Sequence, residues 1–290
     1  MKRRIFLLLT ALACMSMQTS AWVTISTSDA SRTLTSAENS DIKSGTITWD
    51  KDTKTITFDN VTIEISRDGE YFGITDNGNG DVTLKLVGDN VIKSEGYVAF
   101  YHMHNGVVTI TSDDGTGSLT CEGDYGIYVN YKSAELVINN CQVTAIGTYG
   151  GGINGDGWNN WNFKKLTIDN ADVTAKGMPG SRRYGSISWV DEIELKDCTY
   201  KSPSNLSFSV LTIDVDGNPY KVGGLTIGDA TEFTTEEVVI QRTKTTGISN
   251  VASDSRADSH QYYTLDGRRI LQPQQKGVYI HNGKKVMVVK

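Results

Sequence analysis

Ile56-Thr-Phe-Asp-Asn-Val61, Leu136-Val-Ile-Asn-Asn-Cys141, Leu166-Thr-Ile-Asp-Asn-Ala171 and Ile193-Glu-Leu-Lys-Asp-Cys198 are variations on one six-residue phrase. Val82-Thr-Leu-Lys-Leu-Val87 and Val108-Thr-Ile-Thr-Ser-Asp113 fill the gap between the first two more loosely. The starts at 56, 82, 108, 136, 166 and 193 lie 26, 26, 28, 30 and 27 residues apart. A fixed period of this size with alternating apolar positions belongs to a solenoid, and propeller blades need longer repeats. Each coil then supplies two or three short strands, and successive coils stack at about 4.8 Å. The fold expected is all-β: a single-stranded parallel β-helix of about six coils, right-handed by the general preference of parallel crossovers.

The columns of this alignment make specific claims. First and third positions (Ile56 and Phe58, Val82 and Leu84, Leu136 and Ile138, Leu166 and Ile168, Ile193 and Leu195) alternate with polar neighbours and point inward. The fifth position reads Asn60, Asn140, Asn170 and Asp197, as in a buried turn of stacked side chains that tolerates left-handed backbone. The sixth reads Val61, Val87, Cys141, Ala171 and Cys198, an inward column of small residues. Cys141 and Cys198 are then two coils apart, roughly 10 Å, which is too far for a disulfide. Cys121 aligns with Ala145. All three thiols are expected to be reduced and in the core. A second column, Gly73-Ile74, Gly126-Ile127, Gly152-Ile153 and then Gly185-Ser-Ile187, marks a later strand of each coil.

Composition agrees. Twenty-nine glycines, four prolines and 9% aromatic residues, with Thr, Val and Ile in short runs, make an all-β chain. The formal charge of −6 excludes the basic footprint of a nucleic-acid binder. Lys2, Arg3 and Arg4, the apolar run Ile5 to Ala13 and the small residues Thr19-Ser20-Ala21 read as a signal peptide over residues 1–21. Cys14 keeps a lipoprotein reading open, although Ala11 stands where a lipobox has Leu. No stretch of the mature chain is expected to span a membrane. Residues 22–43 are expected to cap the helix, 44–204 to form it, and 205–243 to close it with strands. Residues 244–260 make a polar linker, and 261–290 form a small β unit with hairpin turns at Asp266-Gly267 and Asn282-Gly283.

That last unit contains Tyr263-Thr-Leu-Asp-Gly-Arg268, Lys276-Gly-Val-Tyr-Ile280 and Lys284-Lys-Val-Met-Val-Val-Lys290. It resembles the sorting and anchoring tails of proteins exported by type IX secretion. The resemblance implies contact with secretion machinery, and release from, or attachment to, the outer surface of a Gram-negative bacterium. The body carries Trp49-Asp-Lys-Asp-Thr-Lys-Thr-Ile-Thr-Phe-Asp-Asn60, Gly88-Asp-Asn-Val-Ile92 and Gly117-Ser-Leu-Thr120. It resembles exported bacterial β-helix proteins of the carbohydrate-binding-domain-containing type over residues 44 to 200, and that resemblance implies a sugar ligand.

Chemistry is sparse. Glycoside hydrolysis needs converging carboxylates, yet Asp113-Asp114 reads as a turn. Asp156, Asp172 and Arg182 could be assembled into a lyase only by force, since turn and column positions explain both acids. His102-Met-His104 places two imidazoles on one strand face without a visible third metal ligand, and reads as a pair of exposed strand histidines. Trp49, at a coil start, reads as structural. The expectation is therefore no catalytic residues, no metal and no cofactor. The candidate ligand site is the loop Thr148 to Phe163. Trp158, Trp161, Tyr149, Asn159, Asn160 and Asp156 would meet the sugar there, with Tyr184 and Trp189 from adjacent coils: aromatic faces for the rings and amides for the hydroxyls. The partner expected is a glycan or a cell-surface molecule. The alternatives are a polysaccharide lyase or glycoside hydrolase of β-helix type, or a purely structural adhesin component.

Overall fold

The computed structural model describes residues 23–67, 69–75, 80–243, 262–265, 269–270, 273, 276–281 and 284–288. The signal peptide, the linker and the turns at Asp266-Gly267 and Asn282-Gly283 lie outside the described residues. The chain separates into two units, Met1–Thr243 and Lys244–Lys290.

The first unit is a parallel β-solenoid of about five turns, and three strands per turn build three faces. On the first face Thr55–Ile65, Val82–Val87, Val107–Thr111, Glu135–Asn139, Lys165–Asp169 and Ile193–Lys196 stack in register. The second face continues Thr55–Ile65 with Asp89–Ser94, Ser118–Gly123, Gln142–Gly147 and Asp172–Lys176. The third runs Val23–Ser26, Phe72–Thr75, Val98–Met103, Tyr125–Val129, Ile153–Gly155 and Ile187–Ser188. Inward residues form continuous columns: Ile56, Leu84, Ile110, Ile138, Ile168 and Leu195 on the first face, and Ile63, Ile92, Cys121, Ala145 and Ala175 on the second. These side chains make one core, and each buried Ile or Leu contributes about 1.5–3 kcal/mol.

The turn after the first face is the expected one. Asn60, Asn140, Asn170 and Asp197 all have positive φ, from 47° to 52°. Asn170 donates to the amide oxygen of Asn140 at 3.1 Å, a bond along the stack. The column is not buried, however: Asn60 and Asp197 are exposed, and the other two are half-buried.

Four expectations are corrected. Ile56 pairs with Leu84, not Val82, so the first coil is displaced by two residues against the later ones, which keep the expected register, and Asn60 and Val61 leave the columns of Asn140 and Cys141. Likewise Ile74 pairs with His102 and falls out of the Ile127–Ile153–Ile187 column, which begins with Phe72 and Phe100. A slip of two preserves which face each side chain takes, so alternation does not detect it. The turn does: the corrected register puts Gly88 opposite Asn60, at φ 65°, where a Cβ would lie 2.2 Å from the Asn60 side-chain oxygen. As a third correction, Val87 leaves the inward column and is 42% exposed, and the buried residue of that turn is Asn90, in the column of Leu119, Val143 and Val173. Asn90 is 1% exposed. Its oxygen accepts from the Val61 amide at 2.9 Å, and its nitrogen donates to the carbonyls of Val87, Gly88 and Ser118. One side chain thereby ties three coils. The fourth correction concerns His102 and His104, which lie inside, fully buried, between Ile74 and Val129 in the case of His102.

The cysteines follow the expected pattern. All three described thiols are free; Cys121 and Cys141 are buried, and Cys198 half-buried. Trp49 is buried and donates to the Asp29 carbonyl, a structural role.

Past the last coil the chain turns back. Leu206–Val215 and Asn218–Ile227 form a hairpin on the third face, with Asp216 and Gly217 at positive φ in its turn. Val238–Arg242 then inserts antiparallel between Asp172–Lys176 and Cys198–Ser202. Arg242 fastens it, its backbone and Nε donating to the Asp172 carboxylate at 3.0 and 2.9 Å. In the second unit, the strands order as Arg269–Ile270, Tyr262–Tyr263, Gly277–His281, Lys284–Val288, all antiparallel.

Candidate functional site

The third face is covered on both sides over its middle coils, and the site stands on its outer side. In Tyr125–Val129 all five residues are buried, the signature of a strand covered on two faces. Outward residues Tyr101 and Tyr128 pair in register, and Tyr71, Tyr97, Tyr125, Tyr184 and Trp189 gather around them. Neighbouring rings meet edge to face: Tyr71 with Tyr101 at 4.9 Å, Tyr101 with Tyr128 at 5.1 Å, Tyr128 with Tyr125 at 5.2 Å and Tyr125 with Tyr184 at 5.3 Å. This arrangement lets each positive ring edge meet a negative face. Burial holds these phenols neutral, pushing Tyr71 to about 12. For Tyr128, burial is joined by the Asp156 carboxylate, and the shift is upward again.

The loop from Thr148 to Phe163 lies across this bed. Its glycines make the close approach possible: a Cβ on Gly150 would sit 2.0 Å from the Tyr125 ring, and one on Gly157 2.5 Å from the Tyr184 ring. Asp156 anchors the loop. It is 2% exposed, accepts the Tyr128 hydroxyl at 2.6 Å, and accepts both the backbone and side-chain amides of Asn159. Arg183 supports the loop from the next coil. Its Nη2 donates to the Gly157 carbonyl and to Asn160 Oδ1, and its guanidinium lies 5.7 Å from the Tyr184 ring and 5.8 Å from that of Trp189. Trp189 holds φ 59°, a strained value for a bulky residue, and its Nε1 donates to the Arg183 carbonyl at 2.8 Å.

The eight residues expected to meet a ligand therefore divide. Trp158 is 62% and Tyr149 56% exposed. Both border Tyr125, Tyr149 with its ring 6.3 Å away. Asn159 is exposed, while Asn160 and Trp161 are half-buried, Trp161 beneath Lys132 at 5.1 Å. Asp156, Tyr184 and Trp189 are buried and shape the bed from below. Residues that the sequence reading missed are Tyr71, Tyr97, Tyr101, Tyr125 and Tyr128. The continuous apolar run of Tyr125–Val129 was the signal available for them.

Polar atoms without hydrogen bonds collect at this bed. The Tyr125 hydroxyl is buried against Tyr184 and Trp158. Asn154 Oδ1 and Arg183 Nε are buried and unpartnered. Buried polar atoms without partners are costly, about 1–3 kcal/mol each.

Asp156, Asp172 and Arg182 each have their own partners: Tyr128 and Asn159, Arg242, and Glu232 at 4.0 Å. Among the described residues no three or more His, Cys, Asp or Glu side chains gather as a metal site. Nor is any described helix long and apolar enough to cross a membrane. No family model matches the chain, and no match is found among curated proteins or solved structures.

Proposed function

We propose that this chain is a non-catalytic exported β-helix protein that binds a glycan through Trp158 and Tyr149. The observation carrying the reading is that these two large rings stand more than half exposed on an interlocked aromatic bed. Exposed aromatic rings lose little entropy on binding when their base is rigid, and their faces suit the apolar faces of sugar rings. Asn159, exposed beside Trp158, supplies an amide for sugar hydroxyls. Export and surface delivery rest on the signal-peptide pattern and on the resemblance of residues 261–290 to type IX sorting tails.

A glycan array probed with the wild-type chain, Trp158→Ala and Tyr149→Ala tests this reading. Val210→Ala, at an exposed position of the closing hairpin, serves as control. Binding by wild type and control, weakened in both aromatic variants, supports the site. Equal binding by all four proteins removes it.

A further inference from the structure

We infer that the glycan taken at the Trp158–Tyr149 patch is acidic and is read through sugar carboxylates; this rests on the glycan reading above. The whole chain carries −6, yet two arginines, Arg182 and Arg183, belong to the segment that supports the Trp158 loop, while Asp124 lies next to Tyr149. Within Thr148 to Phe163 the single acidic residue is Asp156. It is buried and spent on Tyr128 and Asn159. Arg183 is bonded to Gly157 and Asn160, the residues that bracket Trp158 and Asn159 in the chain. Among the described residues Arg183 has no ion-pair partner; two aromatic rings and neutral oxygens surround it. Lys132 stands over Trp161 in the same way, also without a described carboxylate. Arg182, 89% exposed in its side chain, reaches Glu232 only at 4.0 Å.

The remaining carboxylates nearby are Asp124, against the Thr148 hydroxyl, and Asp191, which accepts from Asn162. Neither is paired with these cations. A guanidinium pinned by packing and left uncompensated in a half-buried position is a preorganised anion reader: its ordering cost is already met. A neutral sugar would stack on Trp158 and Tyr149 but leave this charge unanswered. A uronic acid residue answers both features.

Matched polymers isolate the charge. Affinity electrophoresis and calorimetry with the full chain compare polygalacturonate with its fully methyl-esterified form, and dextran sulfate with dextran. The acid should bind about tenfold or more tightly than the ester, the scale of a charge-assisted hydrogen bond, and the gap should narrow as salt rises. Arg183→Gln should close the gap. Because Arg183 also supports the loop, the double variant Lys132→Gln with Arg182→Gln provides a second reading from exposed positions and should narrow it. Equal affinity for acid and ester overturns the charge assignment while leaving the glycan reading intact. A preference for dextran sulfate with none for polygalacturonate overturns the carboxylate assignment. Failure of the folded protein to bind these polymers and every glycan of the array overturns both readings together.

Discussion

His102 gives the interior of the solenoid a built-in acid weakness. It occupies an inward column between Ile74 and Val129, is 0% exposed, and neither ring nitrogen has a hydrogen-bond partner. Burial, with His104 nearby as a second cause, depresses its pKa from 6.5 to about 3. The folded chain keeps the imidazole neutral, whereas the unfolded chain takes up a proton below 6.5. The native state thus binds fewer protons, so stability is complete above pH 6.5 and is lost as pH falls from there toward 3. Each unit in that window removes about 1.4 kcal/mol, so pH 5 costs about 2 kcal/mol relative to pH 7.5. His102→Val nearly preserves volume and continues the aliphatic column. It should remove this share of the acid dependence, and it should raise stability at pH 7.5 by about 1–3 kcal/mol by deleting two unpartnered polar atoms. Guanidinium melts of both proteins at pH 7.5, 6.5, 5.5 and 5.0, followed by far-UV circular dichroism, read both effects. An unchanged pH slope in His102→Val, or a lower midpoint at pH 7.5, would show that the lumen does not hold His102 as described.

Other positions carry sharper local effects. Asn90→Ala should lower stability by about 2–3 kcal/mol, because it strands the Val61 amide and three carbonyls; a loss under 0.5 kcal/mol in the same melts contradicts its role between coils. Gly88→Ala should cost about 1–2 kcal/mol, from a positive φ and the Asn60 side chain, whereas Asn60→Gly should relieve that clash and make the double variant milder than the sum. Burial pushes the Cys141 thiol up to about 12 and that of Cys121 upward too, so an Ellman assay at pH 8 should find both silent until denaturant is added. Rapid labelling of either in the native protein contradicts the packed columns.

The legible parts of this fold were those governed by a period of two. Ile138, Ile168 and Leu195 faced inward because their neighbours were polar, and Asn140, Asn170 and Asp197 marked the turn because few other residues accept its backbone. Register was less legible, since Val82 and Leu84 are equally good inward residues and only Gly88 distinguishes the two alignments. The burial of His102 and His104 runs against residue type, which favours exposure for histidine. In Phe100-Tyr-His-Met-His104 one face carries two histidines beside Phe100 and the other Tyr101 and Met103, so alternation points the histidines outward although the inward face is theirs. The aromatic bed was invisible for another reason. Tyr101 and Tyr128 are on the outward side, and they are covered only because a loop and a hairpin from distant coils fold over them. The loop itself announced Trp158 and Tyr149 through its glycines. Which of its aromatics would remain exposed depended on contacts with Tyr125, Tyr184 and Arg183 that no local pattern encodes.

Trp158 offers the most direct test of the central claim, because its indole is the most exposed of the described tryptophans; Trp49 and Trp189 are buried and Trp161 lies half-buried under Lys132. Acrylamide quenching of tryptophan fluorescence, with and without a saturating glycan identified on the array, reports whether a sugar covers that ring. The account predicts that glycan lowers the quenching constant of the wild-type chain to near that of Trp158→Phe, and leaves the variant unchanged. A glycan that binds while Trp158 stays fully quenchable would contradict it.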